Sequence, residues 1–166
     1  VSSPSLPVPD LTTERLVLRS WTPAEADAVV GGVRLPHWAD DFPADGDQVI
    51  AGLLGERPEW LSRHGHRLVV ERDSGLVVGS IGLFWPPNDG VVEIGYGVVA
   101  SRRGRGYATE ATRALADFAF TAPGVRVVRA EVEPANPASV RVLEKAGFRP
   151  LDVAAGQGTA RYGIVR

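Results

Sequence analysis

The chain has no cysteine. Disulfide frameworks, thiolate zinc sites and cysteine nucleophiles are therefore excluded. Lysine is almost missing: Lys145 is the only lysine among 18 basic residues, a bias we assign to genomic base composition rather than to function. No apolar run approaches the roughly 18–20 residues that cross a bilayer, and no secretory signal is read at the start. Neither sign of charge dominates, since the formal net charge is −2 and the pI about 5.9. Attraction of the whole protein to nucleic acid is not expected, and any anion site must be local. These absences lead us to expect a soluble, cytoplasmic protein with neither a nucleic-acid nor a membrane partner.

What is present is globular material: 166 residues, 44% hydrophobic and 23% charged. A chain of that size forms one domain and buries roughly 70% of its unfolded surface. Residues 1–10 carry three prolines and three serines without periodicity, and read as a loose arm before a domain at 11–166.

Arg15–Arg19 is a short apolar strand signal. Thr22-Pro23-Ala24-Glu25 reads as a helix start, with Thr22 as cap, Pro23 at the first position and Glu25 closing a capping box. A second helix is expected from Asp45 to about Gly55, with a further turn at Pro58–Ser62. Arg67–Arg72 and Leu76–Trp85 are apolar runs joined at Asp73-Ser74-Gly75, a hairpin signal. After Pro86–Gly90 turns the chain, Val91–Val99 makes a third strand of this meander. The period then changes: Tyr107, Ala111, Leu115, Phe118 and Ala119 share one helical face. Val125–Val132 is a strand, parallel to Val91–Val99 because a helix-length crossover separates them. Asn136-Pro137 opens another helix, Gly147 closes it, and strands near Phe148–Val153 and Ala160–Val165 finish the chain. The order implies an α+β domain: a mixed, mostly antiparallel sheet of about six or seven strands with helices on both faces.

The most informative segment is Val98–Thr109, where a strand ends and a helix begins within a few residues. Gly104 and Gly106 leave the backbone uncovered at the helix start. The first amides of a helix have no internal partner, and the dipole adds about half a positive charge there. No side chain is placed to cap them, and Arg102, Arg103 and Arg105 add charge. Such a turn can hold a phosphate or pyrophosphate. The plainer reading, a strand–helix turn with solvated arginines, stays open for a short glycine motif. A Walker loop is excluded by the missing Gly-Lys-Ser/Thr. A dinucleotide fingerprint fits poorly, with Thr109 at the last glycine position.

Arg103-Gly104-Arg105-Gly106-Tyr107-Ala108 resembles the Arg/Gln-x-x-Gly-x-Gly/Ala motif of the GNAT superfamily of acyl-CoA-dependent N-acetyltransferases. Gly106–Ala111 looks like its RimJ/RimL branch, which acetylates protein N-termini and includes small-molecule enzymes. Leu11–Arg19, Glu93–Tyr96, Asn136–Ser139 and Glu144–Phe148 are similar to further segments of that branch. The resemblance spans about residues 11–166 and implies acetyl-CoA as cosubstrate, no metal, and transfer to a primary amine on a peptide N-terminus or small molecule. Homodimers are common in such families, so a homodimer is among the expectations. It places the pyrophosphate on Gly104–Thr109, with Arg103, Arg105, Tyr107 and Ala108 among the contacts. The pantetheine would lie on the backbone of Val98 and Val99 and against Asn136. Two other readings stay open: a non-catalytic CoA-binding or sensing module, and a nucleotide-binding domain unrelated to CoA.

Alternation puts Val92, Ile94, Tyr96 and Val98 on one strand face, and Glu93, Gly95, Gly97 and Val99 on the other. Gly95 and Gly97 mark a bulge or a close backbone approach. Glu93, on the face stripped of bulk, is the candidate general base, acting through a water; the plainer reading is a carboxylate paired with an arginine. A protein α-amine, with a reference pKa of about 7.7–8.0, needs less help than lysine at about 10.4; the gap is roughly 3.4 kcal/mol. Many family members carry a tyrosine where this chain has Leu143, which cannot donate a proton. Ser139 is the substitute the resemblance suggests, and a helix-start hydroxyl is its plainer role. For the acceptor, Trp38, Asp40, Asp41 and Phe42 offer acidic and aromatic groups to a cationic amine; a solvated acidic loop over buried aromatics is as compatible. His64-Gly65-His66 reads as surface rather than metal, and Trp21 and Trp85 as core.

Overall fold

The computed structural model describes residues 8–133, 135–153 and 159–166, so residues 1–7 of the expected arm lie outside the described residues. The elements are β1 (Leu11–Thr12), β2 (Leu16–Ser20), α1 (Pro23–Gly31), α2 (Asp45–Leu54), β3 (His66–Glu71), β4 (Val77–Leu83), β5 (Val91–Val98), α3 (Tyr107–Ala119), β6 (Val127–Val132), α4 (Pro137–Lys145), β7 (Arg149–Val153) and β8 (Ala160–Val165). They form an eight-stranded sheet in the order β1-β2-β3-β4-β5-β6-β8-β7. Every pairing is antiparallel except β5 with β6. The strand beyond the expected six or seven is β1, whose two residues are too few to show a period.

Local chemistry sets the boundaries. Thr22 accepts from the Glu25 amide at 3.1 Å, while the Glu25 carboxylate accepts from the Thr22 amide at 3.1 Å, so the capping box forms as the sequence indicates. Asn136 caps α4 by accepting from the Ser139 amide, with Pro137 at the first position.

Side-chain partners show helices on both faces. Arg67 lies over the Phe118 ring of α3, and Glu71 accepts from Tyr107 of α3. Residues of the opposite parity face α1 and α2: Arg19 bonds Glu25, and Ser80 bonds Asp47. Leu16, Leu18, Ile81, Leu83, Leu115, Leu143 and Phe148 are among the core between these layers. Trp21 is buried as expected, whereas Trp85 is only partly buried and stacks on His64.

The His64–His66 segment corrects the sequence reading. His66 is 2% exposed and packs against Trp60 and Phe84. It opens β3 on the face where Gly82 leaves room for its ring. His64 is half-buried, stacked between Trp85 and Phe118.

These buried groups make stability depend on pH. Burial pushes His66 down to about 4 from 6.5. The unfolded chain therefore takes up this proton first as pH falls, and the stability from neutral His66 is full above pH 6.5 and lost toward pH 4. Burial pushes Glu25 up, but the hydrogen bonds from Arg19 and His37 outweigh it and bring the carboxyl to about 2. That contribution is full above pH 4.5 and lost toward pH 2. Urea unfolding is expected to lose up to ~1.4 kcal/mol per pH unit within the His66 window, a slope that His66→Asn flattens. Glu25→Gln is expected to remove ~1–3 kcal/mol at pH 7.

Candidate active site

A groove of about 530 Å³ runs from the end of β5 across the start of α3 to α4. Tyr96, Gly97 and Val98 form one wall, Arg103, Gly104 and Gly106 with the first turn of α3 form its head, and Asn136, Ser139, Arg141 and Lys145 form the other wall. Of the residues expected at a cofactor, Val98, Arg103, Gly104, Gly106, Tyr107, Ala108, Thr109 and Asn136 line it. Val99 and Arg105 are not among its lining.

The head of the groove is an exposed helix start. Gly106 is the N-cap of α3 at φ 81°, with no side-chain cap, and Gly104 has φ 79°. Both values lie in the left-handed region that favours glycine. Among the described residues no side chain bonds the Tyr107, Ala108 or Thr109 amides, so three donors face the groove with the positive end of a 13-residue helix behind them.

Two carboxylates hold this turn from beneath. Glu71 accepts from Tyr107 Oη at 2.8 Å and from Arg102 Nε at 3.2 Å, with Arg105 Nη1 at 3.5 Å. Burial alone would push Glu71 up, but bonds from Ser74 and Tyr107 and the charge of Arg102 bring it below its ordinary range. Glu110 accepts from the Arg15 amide at 2.9 Å and from Arg15 Nε at 2.8 Å, while Arg15 Nη1 donates to the Arg105 carbonyl at 2.6 Å. Arg102 and Arg105 therefore share Glu71 as a counter-ion, and Arg105 turns away from the groove. The charge that the sequence places at the turn through Arg102, Arg103 and Arg105 is thus partly neutralised. Arg103 Nε donates to the Val98 carbonyl at 3.2 Å.

The groove wall on β5 has an unpaired edge. Parallel pairing with β6 covers Val91↔Val127, Val92↔Val128 and Glu93↔Arg129, and then stops. On its other edge β5 stays paired with β4 from Ile94 to Val98. The Phe84 amide donates to Glu93 O and the Val99 amide to Val78 O, so residues of odd number turn their polar groups to β4. Ile94, Tyr96 and Val98 turn theirs to the gap. Both backbone groups of Val99 are committed, because its carbonyl accepts from Arg102. The groups left open along the gap are those of Ile94 and Tyr96 and the Val98 amide, since the Val98 carbonyl accepts from Arg103. The β4–β5 register is continuous, so no bulge forms. A Cβ at Gly95 would touch the Phe84 ring at 3.1 Å, whereas one at Gly97 would meet open space.

Glu93 stands where pairing ends, on the face opposite the groove. Burial and the charge of Glu131 raise its carboxyl above the ordinary range, against Arg129 and Arg161. Arg129 Nη2 lies 3.8 Å away, a loose ion pair. On the groove side Tyr96 Oη is 2.7 Å from Ser139 Oγ. The sequence does not reveal this contact of Tyr96. Its even parity on β5 was visible, but its partner lies 43 residues on. Leu143 is fully buried in the core.

The expected acceptor residues do not assemble at the groove. Trp38 and Phe42 are buried, 5.2 Å apart edge to face, with Trp21 against Phe42. Asp41 accepts from the Ser101 amide at 2.9 Å and from Ser101 Oγ at 2.8 Å, bonds that hold its carboxyl below its ordinary range. It secures the turn after β5. Asp40 is exposed away from the groove.

Residues 15–149 match the family model described as an acetyltransferase (GNAT) domain. The chain belongs to the GNAT acetyltransferase family. It is 30% identical over 150 residues to the uncharacterized N-acetyltransferase p20 of Bacillus licheniformis, covering 84% of this chain and 82% of that one. Among solved structures it is similar to an acetyltransferase from Agrobacterium tumefaciens, at 25% identity and TM-score 0.67 over 100% and 99% of the two chains. It also superposes on a ribosomal-protein-S5-alanine acetyltransferase from Vibrio fischeri, with TM-score 0.66 over 94% and 96%; at 15% identity this likeness speaks to the fold. Membership makes this GNAT domain an acetyltransferase and implies acetyl-CoA, which the unsatisfied amides at the head of the groove suit.

The turn should depend on its carboxylate. Tyr107→Phe is expected to lose ~1–2 kcal/mol in urea unfolding, through one charge-assisted hydrogen bond. Glu71→Ala strands several donors and should lose ~2–4 kcal/mol.

Proposed function

We propose that this GNAT domain, of RimJ/RimL type, transfers an acetyl group from acetyl-CoA to a primary amine by direct attack. One observation carries the reading. The unpaired edge of β5 opens at Glu93 and leads, on the other face, past Tyr96 and Ser139 to the bare amides of α3. A thioester lying in that gap would meet an amine arriving from the Glu93 side. The helix-start amides would take the pyrophosphate, and the even-numbered edge of β5 the pantetheine amides, as an added strand does.

The roles follow from acidity. Glu93 accepts the proton that the attacking nitrogen loses, through a water; its raised pKa brings it closer to the operating pH and makes it a better base. Ser139 gives a proton to the departing sulfur. In this scheme the Tyr96 phenol, more acidic than an alcohol, is the donor in its 2.7 Å contact with Ser139 Oγ, which leaves the serine hydrogen to point to the groove. The protein then returns the Glu93 proton to Tyr96 through solvent, and the residues are reset. A thiol of pKa near 8.5 makes modest demands on this donor, so an aliphatic hydroxyl backed by a phenol can replace the tyrosine absent at Leu143.

Calorimetry and thiol release test the scheme. Gly104→Asp meets no neighbouring atom but is strained at φ 79°, so the comparison is with Gly104→Asn, which carries the same strain without the charge; the carboxylate at the helix start should lower CoA affinity at least ~10-fold below that of Gly104→Asn. Equal affinity in the two folded variants rejects the pyrophosphate site. Glu93→Gln should lower kcat by ~10²–10⁴ and remove the ascending limb of the pH–rate profile, with CoA affinity unchanged. Wild-type turnover across pH 6–8 would remove Glu93 as base.

A further inference from the structure

We propose that Arg15, just before β2, is a positioning residue for the cofactor: it sets the plane of the Arg105–Gly106 peptide so that the Gly106 amide joins the donors at the start of α3. The inference rests on the pyrophosphate placement above and adds a residue to that site.

Arg15 Nη1 donates to the Arg105 carbonyl at 2.6 Å. No other hydrogen bond among the described residues reaches that carbonyl or the Gly106 amide. The guanidinium lies against the peptide because residue 106 is glycine: a Cβ there would stand 3.2 Å from Arg15 Nη2. It also lies over the Tyr107 ring, 4.9 Å from its centroid. Glu110, in the first turn of α3, holds the arginine in this place. It accepts from Arg15 Nε at 2.8 Å, from the Arg15 amide at 2.9 Å and from Thr13 Oγ1 at 2.5 Å. Arg15 approaches from outside the cofactor groove. It lines a second hollow, of about 490 Å³, with Thr13, Glu110 and Arg113, and is absent from the lining of the first. Gly106 stands between the two and lines both.

A trans peptide is planar, so its C=O and N–H point in opposite directions. The cis bonds among the described residues are Phe42–Pro43 and Trp85–Pro86, so the bond from 105 to 106 is trans. Arg15 draws the carbonyl toward the second hollow, which turns the Gly106 N–H toward the cofactor groove. Glycine makes this orientation possible and also easy to lose. It takes φ of either sign at little cost, so the peptide can rotate there. The rotated peptide would present the Arg105 carbonyl to the diphosphate, negative end to negative group. A charge-assisted bond from Arg15 favours the orientation that binds. An arginine suits the role because one rigid plane serves Glu110 through Nε and the carbonyl through Nη1.

Amide NMR with CoA as the probe tests this directly. In isotope-labelled wild-type protein, CoA should move the Gly106 amide proton downfield together with those of Tyr107, Ala108 and Thr109. In Arg15→Gln the Gly106 response should be lost while the other three persist, and CoA affinity by calorimetry should fall ~10-fold or more. A Gly106 amide that stays still in the wild type while its neighbours respond overturns the proposal and leaves the pyrophosphate site standing. So does a Gly106 response that survives in Arg15→Gln. Loss of all four responses in a folded Arg15→Gln variant also overturns it, because the arginine then supports the whole turn and not this one peptide. A wild-type protein that binds CoA with none of the four amides responding removes the pyrophosphate site as well.

Discussion

Hydrogen bonding between β5 and β6 lasts for three residue pairs, and the remaining half of each strand is committed elsewhere: β5 continues along β4 to Val98, and β6 continues along β8 to Val132. The two halves of the sheet therefore diverge from a fixed point at Glu93 and Arg129. Divergence leaves the even-numbered peptide groups of β5 with no strand beside them. Buried backbone groups almost always find partners. An edge kept open inside a sheet, instead of at its rim, offers its free amides and carbonyls to whatever enters the groove. The groove, the helix start and the charged pair are all arranged around that gap.

At the turn before α3 little side-chain charge is left unpaired. Arg102 and Arg105 converge on Glu71, and Arg15 on Glu110. These contacts cancel charge, but they fix the path of the backbone from Val98 to Thr109. A turn with two glycines at positive φ would otherwise sample many conformations. Carboxylates beneath the loop exchange long-range potential for a preorganised row of amides, which are worth more to a phosphate when they need not be reordered on binding.

The elements that were legible in the sequence carry their signal locally. Thr22–Glu25, Asn136–Ser139 and the glycines at 104 and 106 each act within four residues, and the structure places them as the spacing indicates. What stayed hidden depends on long-range neighbours. His66 follows an exposed-looking polar stretch, and only the glycine at position 82 across the strand pair shows that its ring fits inside. Trp38 and Phe42 stand in an acidic segment that looks like a surface for cations, yet the Trp38 ring packs on Phe42 and Phe42 on Trp21 in the core. Asp41 is occupied by Ser101, 60 residues away. Tyr96 reads as one more apolar position of an alternating strand until α4 brings Ser139 against it. Charge and aromaticity say that a residue could bind something; burial decides whether it is free to.

The sheet also divides the chemistry between its faces. On β5 the even-numbered side chains look toward α3 and α4, and the odd-numbered ones toward the side that α1 and α2 cover only in part. Where β5, β6 and β8 extend past those helices, the exposed face carries Glu93, Arg129, Glu131 and Arg161 in alternation. A strand has period two, and the pairing of β5 with β4 from Ile94 to Val98 fixes which face Glu93 and Tyr96 each take. Glu93 and the Tyr96–Ser139 pair thus lie on opposite faces of the sheet beside the gap. On the proposed acetyl-transfer reading, an amine entering from one face and a thioester lying on the other would meet where the strands part.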